Sequence, residues 1–137
     1  MRYKAIKFFW ITALLTLPLW ALAQQPQNEE EEIKQMREVI DATVENYEKL
    51  LNLADWQTFY VDSILTHDYE ALRQELKEMR TAKMSNTDAY QRVQDKWAEQ
   101  IYVAMQKVFN EEQWAKYLKN GAAREKKARD KRAAKRN

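Results

Sequence analysis

"FNEEQWAKY", from Phe109 to Tyr117, starts a helix close to the end of the chain. Asn110 stands where an N-cap belongs, and Glu111 and Glu112 suit the positive end of a helix dipole. Gln113 follows the cap by three residues, the spacing of a capping box. An earlier phrase, "LADWQTFY" from Leu53 to Tyr60, repeats the frame when Gln57 is aligned with Gln113. Each copy has an apolar residue, a cap position, two further residues and Gln, with aromatics around it. Two such starts in one short chain predict helices joined by tight turns.

Composition agrees with that reading. The 137 residues suit one domain, and one Gly with two Pro leaves almost no punctuation for strands or hairpins. Upstream of the first phrase, Ile33, Met36, Val39, Ile40, Val44, Tyr47, Leu50 and Leu51 recur at steps of three and four, one face of an amphipathic helix. After it, a second series runs from Leu53 through Trp56, Ile64, Leu72 and Leu76 to Met79. A helix from Asp55 to Lys83 would be about 44 Å long, too long for the diameter of a compact domain of this size. "SNTD", Ser85 to Asp88, is the clearest turn, and a third series follows from Tyr90 to Val108. The fourth helix opens at Asn110, and Gly121 is expected at its C′ position. The expected fold is therefore all-α: an elongated antiparallel helical hairpin of about four helices.

The two copies differ at the cap. Ala54 offers no acceptor, and losing a capping side chain costs about 1 kcal/mol. Asn52 is a substitute cap with Asp55 at N3, starting the helix two residues earlier. Alternatively the first and second helices are nearly continuous.

The N-terminus reads as a secretory signal over residues 1–23. Arg2, Lys4 and Lys7 form the basic region, "FFWITALLTLPLW" the apolar region, and Ala21 and Ala23 an A-x-A site, placing cleavage after Ala23. An uncleaved anchor is the alternative, but the apolar run is shorter than the roughly 20 residues a spanning helix needs. Residues 24–32 read as an acidic disordered linker, 33–120 as the helical domain, and 121–137 as a basic tail rich in Ala, Lys and Arg. Without the signal the chain carries 20 basic and 21 acidic residues, and eight of the basic ones lie in the tail. Nothing on the tail's apolar side is larger than Ala, so it is expected as a frayed exposed helix or a disordered segment outside the core.

The doubled frame resembles the twice-occurring L-T-x-x-Q signature of the Spy/CpxP family of small periplasmic helical proteins. The residues that carry it are Leu53 and Gln57 in the first copy, and Phe109, Asn110 and Gln113 in the second. Phe109 replaces Leu, while Asn110 and Ala54 replace Thr, as in a distant member. The resemblance implies a periplasmic, envelope-stress chaperone or signalling adaptor. It also implies a cradle-like homodimer whose concave face holds partly unfolded envelope proteins, with no cofactor. Alternatives are a zinc-stress sensor of the related type, or a structural adaptor docking one envelope partner.

Little in the chain supports other chemistry. There is no cysteine, hence no disulfide, thiolate metal site or cysteine nucleophile. No phosphate loop, nucleophile elbow or HExxH is present, so no catalytic, cofactor or metal residues are assigned. The single His67 is expected to border the apolar face; zinc needs three or four converging ligands. Export would remove nucleic acid from reach, leaving weak contact of the basic tail with an anionic envelope surface. A thin helical protein leaves some apolar surface to a partner. Trp56, Tyr60, Met79, Met84 and Trp97 are the candidate client-binding residues, while most other aromatics are expected in the core.

Overall fold

The computed structural model describes residues 28–137. The expected signal peptide and residues 24–27 of the linker lie outside the described residues. Among the described residues the chain is all helical, with no strand. The elements are α1 (Glu29–Leu51), α2 (Asp55–Thr81), α3 (Thr87–Val108), α4 (Glu111–Tyr117), a wide π-type turn (Leu118–Ala122) and α5 (Ala123–Arg136).

By its internal contacts the chain divides into two units, residues 1–35 and residues 36–137. Of the first, the described part is the opening of α1. The Asn28 carbonyl accepts from the amides of Glu31 and Glu32 at 2.9 and 3.1 Å. The helix thus includes Glu29–Glu32, which the sequence reading assigns to the acidic linker. Glutamate is a good helix former, and four carboxylates at the positive end of the dipole favour this start.

In the second unit, α1 ends at Asn52, whose positive φ of 51° turns the chain. Leu53 N–H reaches back to the Glu48 carbonyl at 3.3 Å, as in a Schellman-type ending. Asn52 therefore closes α1 instead of capping α2, and the two helices are not continuous. Asn tolerates the left-handed conformation because its short polar side chain hydrogen-bonds locally. Ala54 is the N-cap of α2 after all, and no side chain caps that end. The next junction follows its sequence signal: Lys83 has φ 55°, and the Asn86 side chain accepts from Asp88 N–H at 3.0 Å.

The core is built where helix ends converge. Ile40, Leu51, Leu53, Val61, Leu65, Met105, Phe109 and Tyr117 are buried together. Tyr47, Phe109 and Tyr117 pack edge to face, with centroids 5.4–6.4 Å apart. Burial pushes the Tyr117 phenol up to about 12. Leu72, Leu76 and Met79 continue the buried face along α2. The start of α2 meets the end of α3, where Gln57 donates to the Val108 carbonyl at 3.0 Å. Further along, Glu75 of α2 accepts from Lys96 and from the Trp97 indole of α3, at 2.6 and 2.7 Å.

Gly121 takes the left-handed conformation expected of a C′ residue, but the chain stays helical beyond it. Its φ of 125° closes the π-type turn, and α5 starts two residues later. Nor is the tail frayed or disordered. Arg129 and Lys126 hold Glu99, Arg132 forks onto Asp95 at 2.7 and 3.0 Å, and Arg136 reaches Asp88 and Asp95. The Arg129 guanidinium also lies 5.5 Å from the centre of the Tyr102 ring. The sequence reading weighed the tail by its apolar side chains, whereas charge and stacking hold this helix in place.

Candidate functional site

The two motif glutamines, far apart in sequence, meet. Gln57 Nε2 donates to Gln113 Oε1 at 2.7 Å, and Gln113 Nε2 returns a bond to Gln57 Oε1 at 3.0 Å. Each oxygen also accepts from the N-cap amide of its own helix, Ala54 N–H at 2.9 Å and Asn110 N–H at 3.0 Å. Each amide nitrogen donates to a carbonyl that ends another helix, Val108 at 3.0 Å and Leu51 at 3.3 Å. Both side chains are buried, at 5% and 7% exposure. The reciprocal pair ties four helix ends together and suits Gln: each amide oxygen accepts two hydrogen bonds while its NH2 group donates two. At the second copy Asn110 Oδ1 adds the other half of the box, accepting from Gln113 N–H at 2.8 Å. At Ala54 that half is missing. Leu53 and Phe109 are buried as well, so four of the five motif residues are buried in the joint while Asn110 caps from its exposed edge.

The open surface lies just beside this joint. Trp56 is 57% exposed and Tyr60 52%, with their rings edge to face at 6.1 Å. With Ile64 of α2 and Val103, Ala104 and Lys107 of α3 they line an open groove of about 660 Å³. Val103 is exposed as well. Exposed Phe59 points away from that groove, into a second one of about 480 Å³ between α1 and α2. This second groove is acidic: Asp41, Glu45, Glu48, Asp55 and Asp62 line it, with Arg37 as its cation. Arg37 bridges Asp41 and Asp62 and donates to Thr66 Oγ1 at 3.0 Å.

The candidate client-binding residues separate on this map. Trp56 and Tyr60 share the apolar groove. Met79 is 8% exposed and packs inside, because it continues the Leu72–Leu76 face of α2. Trp97 is half-buried and committed to Glu75, with the Lys96 ammonium 5.0 Å from its ring centre. Met84 is exposed, but it lies in the turn at the far end of α2. Val103 is an apolar groove residue that the sequence reading did not name. The helical spacing of Trp56, Tyr60 and Ile64 was the available signal for the groove wall.

His67 is exposed instead of bordering the apolar face; its Nδ1 lies 2.7 Å from Asp68 Oδ1, and Asp68 is the buried member. Among the described residues no group of three or more His, Asp or Glu is placed to hold a metal ion. No described helix is long and apolar enough to cross a membrane. The chain matches no family model, no curated protein and no solved structure.

Proposed function

We propose that this chain is a distant Spy/CpxP-like protein of the periplasm, a chaperone or stress-signalling adaptor that captures partly unfolded envelope proteins without a cofactor. The observation that carries the reading is the groove of Trp56, Tyr60, Ile64 and Val103, large exposed apolar side chains beside a rigid joint. The paired glutamines add support, since they give the repeated motif a physical reason to occur twice. The working form is an elongated helical hairpin, paired as a cradle-like homodimer. Exposed rings supply apolar contact to a client, and Gln100 and Lys107 at the groove edge supply polar contacts that are quickly made and broken. Many weak contacts of this kind give reversible capture.

The test is suppression of thermal aggregation of a model client by the purified protein. Substoichiometric to stoichiometric protein is expected to hold the client soluble, and Trp56→Ala with Tyr60→Ala to lose most of that effect while keeping native helicity. An intact protein that never suppresses aggregation overturns the reading.

A further inference from the structure

Glu99 belongs to two surfaces at once. It lines the α3 wall of the apolar groove, next to Gln100 and near Val103. Both of its carboxylate oxygens also anchor α5. Lys126 Nζ lies 3.0 Å from Oε1, and the Arg129 guanidinium donates to Oε2 at 3.2 and 3.3 Å. Two cations from outside the groove therefore neutralise the one carboxylate on its wall.

The helix that supplies those cations is held almost wholly by charge. Arg129 is the buried side chain of Ala123–Arg136, and no apolar side chain larger than Ala occurs in that helix. Its docking thus draws little on the burial of apolar surface. Arg132 and Arg136 complete the attachment through Asp95 and Asp88. Gly121 joins α5 to α4 with φ 125°, and a Cβ placed there would meet nothing within 4 Å. No packing from outside its own turn fixes the angle at this joint. A helix tied by ion pairs and hinged at an open glycine can leave as a unit.

Its departure would change the groove. Glu99 would become an unpaired, hydrated carboxylate, and covering such a group with an apolar segment is costly. The rings of Trp56 and Tyr60 would remain, but the wall opposite them would resist burial.

We propose that α5 is a strap that regulates the apolar groove through Glu99: docked, it neutralises the carboxylate and keeps the groove receptive; released, it lowers the groove's affinity. This regulation rests on the reading of the groove as the client site. Linkage makes the effect reciprocal, so an occupied groove tightens the docking of α5 by the same factor. Raised ionic strength weakens the partly exposed ion pairs and favours release of both strap and occupant.

The experiment titrates the full-length protein with Nile red, a neutral apolar dye, as the groove probe. The Trp56→Ala protein sets the background from dye bound elsewhere. Wild type is compared with Lys126→Gln/Arg129→Gln, with Glu99→Gln, and with all three changes together, each checked for helicity by circular dichroism. Losing the two cations should weaken groove binding about fivefold or more. In the Glu99→Gln background the same loss should matter by less than about twofold, because no charge is left to uncover. Saturating dye should slow amide exchange across Ala123–Arg136 in wild type. Wild-type affinity after loss of the cations overturns the proposal. So does an equal loss in the Glu99→Gln background, dye binding no stronger than the background, or α5 exchange that dye leaves unchanged. Aggregation suppression by the same proteins separates this from client capture. If a client is held equally well without the two cations, the strap fails and capture stands. If the dye cycle holds but no client stays soluble, capture fails and the strap still governs the groove.

Discussion

Gln113→Ala should be among the most damaging substitutions of a polar residue by Ala, although Gln113 is neither charged nor part of the apolar core. The substitution removes four hydrogen bonds: those with Asn110 N–H and Leu51 C=O, and both bonds of the reciprocal pair with Gln57. A net contribution of about 0.5–1.5 kcal/mol per bond suggests a loss of about 2–6 kcal/mol in all. The lower part of that range applies if Gln57 rests on its remaining partners, Ala54 N–H and Val108 C=O. Asn110→Ala removes the cap alone and should cost about 1 kcal/mol. Equilibrium urea unfolding measures both, and the shift should appear in the midpoint with little change in slope. A double-mutant cycle with Gln57→Ala isolates the pair and should show a coupling of about 1–2 kcal/mol. Coupling near zero, or a Gln113→Ala cost no larger than that of Asn110→Ala, would refute the view that the amide pair joins the helix starts.

Three further outcomes are expected. Burial pushes the Asp95 carboxyl up, but hydrogen bonds from Arg132, Gln91 and Arg136 outweigh it and hold it below its usual range. The docking of α5 is then fully stabilised above the ordinary carboxylate pKa of about 3.9 and is lost as pH falls through the lower folded value, so hydrogen exchange in α5 should rise in acid before the core unfolds. Arg132→Ala should speed amide exchange across Ala123–Arg136 at neutral pH while leaving the protection of α2 unchanged; uniform protection would show that charge does not hold the helix. Met79→Ala should cost about 2–5 kcal/mol in unfolding free energy, whereas Trp56→Ala should cost little and instead weaken client capture. The reverse pattern would mean the two side chains have been assigned to the wrong sides of the surface.

Much of the helical framework was legible in the sequence because its causes are local. Asn86 and Asn110 announce helix starts through short-range hydrogen bonds. The apolar steps of three and four find part of each buried face, such as Ile40 of α1, Leu72 and Leu76 of α2 and Met105 of α3, while Ile33 and Val39 of the same series are exposed. The same local logic misjudged Asn52, which has the chemistry of a cap but serves as a left-handed stop. It also misjudged the tail, since the arginines of α5 gain their partners only when α3 lies beside them. Met79 and Trp56 show the limit most plainly. Both belong to one apolar series on one helix, and only the placement of the neighbouring helices decides that the first is covered and the second is not.

By itself, then, the sequence determined that the chain is helical, where most helices begin, and that Gln57 and Gln113 occupy equivalent positions in a repeated frame. The tertiary structure decided that these glutamines bond to each other, that α5 is clamped by carboxylates of α3, and that Trp56 and Tyr60 stand open beside the joint. The division follows the range of the forces involved. Capping and helical periodicity act within a turn or two, while amide pairing, ion pairing and burial depend on groups that the chain brings together only after it has folded.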